Sequence, residues 1–199
     1  MRKLALLLVA LLAFIPASYA KDPRVAQAES WLKSLTYGQA RFTQRGFDGT
    51  SLSGNFYIWR PGRLRFEYDA PVKDFIVADG VLIYFYDDQQ RQTSTAPVGT
   101  TLADFLLRKN ARLDGDLTVR SVKEQGGLIT YTIQQTADPA SGTLLVNFTQ
   151  NPFQLKSWTI VDAQGLKTDL VLTDFNIGTP IPPSLFIYKD PTGRSRLNN

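Results

Sequence analysis

Residues 54–87 hold the densest mixture of aromatic, β-branched and turn-forming residues in the chain, and they commit it to a β-rich fold. In Leu64-Arg65-Phe66-Glu67-Tyr68-Asp69 the apolar residues take every second position. Successive strand residues point to opposite faces. Leu64, Phe66 and Tyr68 therefore share one face, while Arg65, Glu67 and Asp69 occupy the other, which should be wet. Residues 75–78 and 81–86 are apolar throughout and need a cover on both faces. Arg60-Pro61-Gly62 and Asp79-Gly80 supply tight turns, so this block reads as four consecutive strands.

Alternation continues on both sides. Residues 39–47 read as a long first strand, joined through a Gly, Ser and Asp-rich hairpin to 55–60, and residues 90–96 read as a polar edge strand. Five more strands are expected at 116–122, 128–134, 143–149, 154–161 and 166–177, with turns at Gly126-Gly127, Ser141-Gly142, Asn151-Pro152 and Ala163-Gln164-Gly165. Helical spacing predicts an amphipathic helix over 21–35, capped by Asp22 with Pro23 in its first turn, whose face carries Val25, Ala28, Trp31, Leu32 and Leu35. A second helix is predicted over 102–109, capped by Thr100 or Thr101, with Leu102, Phe105 and Leu106 on one face.

About eleven strands against two or three short helices make one large, strongly curled antiparallel sheet, mainly β with a few α helices. Two interiors suit such a sheet. Its apolar face packs as a dry core, or it encloses a space too wide for its own side chains and leaves an apolar cavity under a helical lid.

The chain opens on Met1-Arg2-Lys3, an apolar run over 4–15 and Ser18-Tyr19-Ala20, the pattern of an export signal cleaved after Ala20. The run is shorter than the roughly 20 residues that span a bilayer. Residues 21–199 then form a single domain in an extracytoplasmic compartment. Without cysteine the chain can take neither a disulfide nor a lipid on an N-terminal cysteine. Cleavage removes Arg2 and Lys3 and leaves a net charge of +2, so the basic balance is no argument for nucleic acid.

Absent residue types exclude much chemistry. No histidine and no cysteine means no Ser-His-Asp or Cys-His nucleophile and none of the usual soft or imidazole metal ligands. Glu29, Glu67 and Glu124 are the only glutamates, and seven of the fifteen aspartates adjoin Gly or Pro in expected turns, where such side chains bond the backbone. Neither a catalytic residue, nor a metal site, nor a cofactor is expected.

Ala40-Arg41-Phe42-Thr43-Gln44, Gly54-Asn55-Phe56 leading to Arg60-Pro61-Gly62, Arg65-Phe66-Glu67-Tyr68, Asp79-Gly80 before Tyr84-Phe85-Tyr86-Asp87, and Asn151-Pro152-Phe153 before Trp158 together resemble the periplasmic outer-membrane lipoprotein carriers, the LolA-type chaperones. The resemblance covers essentially the whole chain after the leader. It implies an incomplete β-barrel of eleven strands closed by a helical lid, whose cavity receives the acyl chains of lipoproteins from an inner-membrane lipoprotein-releasing ABC transporter and passes them to an outer-membrane acceptor. The implied protein is a periplasmic monomer and a non-enzymatic chaperone. A reading from another class, an envelope sensor of lipoproteins or lipids built on the same sheet, has the drawback that no additional partner-binding domain fits this length.

Alternation assigns Phe56, Ile58, Leu64, Phe66 and Tyr68 to the cavity wall, and Trp31, Leu32, Leu102, Phe105 and Leu106 to the lid helices. Arg60 ends a strand on the pleat face of Phe56 and Ile58, where its donors reach helix-terminal carbonyls, and the family's Arg-Pro segment implies the same lid latch. The other reading makes it a solvated turn arginine.

Overall fold

The structure, a computed structural model, describes residues 22–110 and 112–193; the expected export signal lies outside the described residues. Helix α1, Pro23–Ser34, starts as its sequence directs: Asp22 caps it, accepting from Arg24 N at 2.9 Å, and Pro23 occupies the first turn. Eleven strands follow among the described residues: β1 (Tyr37–Arg45), β2 (Ser51–Trp59), β3 (Arg63–Tyr68), β4 (Phe75–Asp79), β5 (Leu82–Asp87), β6 (Gln92–Pro97), β7 (Leu117–Gln125), β8 (Leu128–Gln135), β9 (Gly142–Gln150), β10 (Phe153–Asp162) and β11 (Lys167–Ile177).

They form one antiparallel sheet in the order β6-β5-β4-β3-β2-β1-β11-β10-β9-β8-β7. Two hairpin wings, β1–β6 and β7–β11, therefore meet at a single long-range seam, where Phe42 of β1 lies opposite Leu172 of β11. The sheet does not close on itself, because β6 and β7 are its two edges. Residues 98–116 connect those edges directly.

One face of both wings forms the main core, with Phe42, Phe56, Ile58, Leu64 and Phe66 on one side and Tyr131, Leu144, Phe148, Leu155 and Trp158 on the other. Helix α1 packs into it through Val25, Ala28 and Leu32, and Trp31 meets Phe148 edge-on at 5.1 Å. Gly54 lies between Phe42 and Tyr68 in register; a Cβ there would stand 2.8 Å from the Phe42 ring and collide with the Glu67 carbonyl. Only glycine lets the Phe42 and Tyr68 rings meet edge-on at 5.2 Å across that strand.

Two expectations need correction. The second helix is absent, and residues 103–107 form successive turns. Asp104, rather than a threonine, organises them, and its carboxylate accepts from Gly99 N at 2.7 Å and Thr101 N at 3.3 Å. The segment closes by bonds three residues apart, Phe105 N to Leu102 O and Leu107 N to Asp104 O, so it turns more tightly than an α-helix and builds no ladder of bonds four residues apart. The face of Arg65 is wet only in part, since residues 179–192 run over the outer side of β3–β5. Arg65 Nη1 donates to Leu185 O at 3.3 Å, and Phe186 and Tyr188 pack on Trp59 and Tyr84. This segment is the second cover that the doubly apolar strands require; Val77, Tyr84 and Phe186 are buried beneath or within it.

Candidate functional site

Pairing places the predicted wall residues side by side. Phe56 lies opposite Phe66, Ile58 opposite Leu64, and Gly54 opposite Tyr68. Phe56, Ile58, Leu64 and Phe66 are buried, and Tyr68 is half-buried with its hydroxyl donating to Gln44 Oε1 at 2.9 Å. Burial, with the nearby Asp74 charge second, pushes the Tyr68 phenol up to about 12. The rings touch across the sheet: Phe56 and Phe66 are 4.9 Å apart, and both approach Trp158 of β10, at 6.2 and 6.5 Å. These side chains pack on one another and on the segments above them.

Two segments cover this apolar face. One is α1, with Leu32 buried and Trp31 half-buried against Phe148 and Phe175. The other is the 98–116 connection, which buries Leu102, Phe105 and Leu106; Phe105 meets Trp158 edge-on at 5.7 Å. The predicted lid residues are thus all on the cover, although three of them ride on a loop instead of a helix.

Arg60 joins the two segments. It directly follows β2, is 7% exposed, and donates through Nη1 to the Leu32 carbonyl in the last turn of α1 and through Nη2 to Arg108 O at 2.8 Å. Carbonyls of a last helical turn have no intrahelical donor and carry the negative end of the dipole, so a guanidinium suits them. Next along the turn, Gly62 N donates to Leu107 O at 2.9 Å. The β2–β3 turn therefore grips two successive carbonyls of the loop. Burial pushes Arg60 down to about 10, which leaves it charged at neutral pH. Its Nε finds no protein acceptor. Arg60 is thus buried and bonded to protein carbonyls instead of solvated. A groove of about 180 Å³ beside the grip brings Lys33 and Lys109 near Arg60.

Three side chains of the cover escaped the sequence reading. Glu29, on the buried side of α1, accepts from Leu113 N at 2.7 Å and ties helix to loop. Asp104 and Arg108 form an ion pair, with Nε–Oδ1 at 3.3 Å, inside the loop. Their i, i+4 spacing was visible, but in an expected helix it reads as an ordinary surface pair. Asp79 bonds Val81 N and Leu82 N at 2.8 and 2.9 Å, a turn role.

A sequence model described as "Outer membrane lipoprotein carrier protein LolA" matches residues 33–189. The outer-membrane lipoprotein carrier protein of Methylibium petroleiphilum is 28% identical over 187 residues, 90% of this chain and 91% of its own. That of Pseudomonas fluorescens is 26% identical over 204 residues, 97% of each chain. An uncharacterized conserved protein from Thermus thermophilus shares the fold at a TM-score of 0.50 and 13% identity, covering 85% of this chain and 94% of that one. With its eleven-stranded unclosed sheet and a match over most of its length, the chain belongs to the LolA family of outer-membrane lipoprotein carrier proteins.

Proposed function

We propose that this protein is a periplasmic carrier that shelters the acyl chains of lipoproteins between its curved sheet and its two-part cover, taking them from an inner-membrane lipoprotein-releasing ABC transporter to an outer-membrane acceptor. In this reading the leader is removed after Ala20, and residues 21–199 act as one monomeric domain without catalysis or cofactor. The observation that carries it is the cover itself. The apolar face of an unclosed sheet lies under two segments that one arginine holds by hydrogen bonds.

Phe56, Ile58, Leu64, Phe66 and Tyr68 line the space that opens when the cover lifts. Burying acyl chains contributes about 0.8 kcal/mol per methylene, so a sheet that accepts most of an anchor competes with a bilayer. Release then depends on the cover. A cover that closes over the empty site lowers apparent affinity in proportion to the open fraction. Arg60 sets that fraction by closing the latch, and each mutual contact of Phe56, Phe66, Phe105 and Trp158 in the closed state competes with an acyl chain for the same surface.

The test begins with the protein purified from native periplasm and analysed by mass spectrometry. Co-purifying triacylated lipoproteins, which then pass to added outer-membrane vesicles, support transport. A stable complex with a membrane signalling protein and no acylated cargo would replace this reading with the sensor.

A further inference from the structure

We infer that Asp104 and Arg108 are positioning residues of the latch: they staple the 98–116 loop into one stiff piece and hold the carbonyl that Arg60 grips. The inference rests on the latch reading above and assigns it a second component.

Asp104 is 1% exposed and Arg108 7%. One Asp104 carboxylate oxygen takes the N–H groups of Gly99 and Thr101, and the other faces Arg108 Nε. The Arg108 guanidinium donates onward through Nη2 to Thr101 O at 2.9 Å and through Nη1 to Asp116. One buried cation thus joins the start, middle and end of the loop. Every one of these side-chain bonds ends within residues 99–116, so the network holds the loop to itself and not to the sheet.

Glu29 also holds Leu113 N at 2.7 Å and Gln135 Nε2 donates to Thr100 O at 3.3 Å, but the turns over 103–107 have few bonds of their own. The internal backbone bonds over these turns are Phe105 N to Leu102 O at 3.4 Å and Leu107 N to Asp104 O at 2.7 Å. Holding a carbonyl in place on a chain without a helical ladder costs conformational entropy, and that cost is deducted from any bond formed to it. Here it is met inside the loop before Arg60 arrives, and the Arg108 carbonyl is presented ready to accept. The cover then lifts as a unit, releasing the bonds from Arg60, Gly62 and Gln135 while its own network stays intact.

The test is a double-mutant cycle on the mature chain, read by fluorescence titration with dansylated undecanoic acid. Asp104→Asn keeps an oxygen for the two N–H donors and removes the charge that faces Arg108. Weakening the closed state raises the open fraction, so R60L should bind the probe about tenfold tighter and D104N about threefold tighter. If Asp104 acts through the grip of Arg60, D104N adds nothing in the R60L background.

An inert D104N overturns the inference, and so does one whose effect multiplies that of R60L. Weaker probe binding in both backgrounds together with a lower melting temperature would show a merely structural role and overturn it too. An R60L protein with unchanged affinity removes the latch reading itself, and this inference with it. Should D104N fail to fold, Arg108→Gln, which keeps the gripped backbone carbonyl and removes the guanidinium, replaces it in the same cycle under the same criteria.

Discussion

Both covers bury apolar side chains against the sheet, but the inner one is also gripped by a buried arginine. Over the inner face, Arg60 donates to carbonyls of α1 and of the 98–116 loop. Over the outer face, residues 179–192 are held mainly by rings: Tyr84 and Tyr188 stack at 4.3 Å and 5°, Phe186 meets Trp59 at 6.0 Å, and Tyr188 lies 6.2 Å from Phe75. Directional bonds to a few carbonyls are lost together when a segment shifts by an ångström or two, whereas stacked apolar area declines gradually. In the carrier proposed above, the inner cover is the one that lifts and the outer one stays.

The largest effect should come from breaking the outer cover. Phe186→Ala removes a 2%-exposed ring, and large-to-small changes at such sites cost about 3–5 kcal/mol. Thermal unfolding should show the loss, with probe affinity per folded molecule unchanged; a shift in that affinity would mean that the two covers are coupled.

Arg60→Leu is the counterpart on the inner side. Each charge-assisted bond lost is worth about 1.5–3 kcal/mol, enough for a tenfold or greater gain in retained ligand. Lipoprotein should load onto this mutant and fail to leave it in a transfer assay with acceptor membranes. A mutant that cannot load, or that unloads at the normal rate, would erase the contrast between the covers.

A smaller change sharpens the outer half. Tyr188→Phe removes the hydroxyl that bonds Thr93 Oγ1 at 2.7 Å and keeps the stack on Tyr84. If the rings carry this cover, the cost in denaturant titration is about 0.5–1.5 kcal/mol. A loss as large as that of Phe186→Ala would make the outer cover as bond-dependent as the inner one.

The smallest expected effect is that of pH. Burial lowers Arg60 to about 10, so below pH 9 it is charged whether the cover is open or closed, and proton number does not differ between the states. Linkage then gives a flat probe affinity from pH 6 to 9. A slope between pH 6 and 9 would assign the latch to a different titrating group.

Strand content was legible because alternation is a local signal: the pattern around Leu64-Phe66-Tyr68 assigns a face without knowledge of the partner strand. The contact of Arg60 with carbonyls of both segments was legible for a similar reason, since a strand-end arginine on an apolar pleat face has few places to go. The loop was not. Leu102, Phe105 and Leu106 keep helical spacing and are buried as that spacing implies, yet the backbone closes in turns three residues apart, and its Thr101 and Arg108 carbonyls accept from the guanidinium groups of Arg108 and Arg60. The outer cover was legible only as a demand. Residues 75–86 require a second apolar layer, but Phe186 and Tyr188 stand in a proline-rich stretch with no periodicity to announce it.

The seam between β1 and β11 bears on how the chain reaches this state. Each wing is built from hairpins between sequence neighbours, while β1 must wait for β11, the last strand in chain order among the described residues. Contacts of that sequence separation form slowly, and until they do both seam strands remain bare edges open to pairing with other chains. Hydrogen exchange during refolding should find the wings protected before the seam. If the chain is exported as proposed above, the interval between translocation of β1 and arrival of β11 is the period of greatest exposure to aggregation.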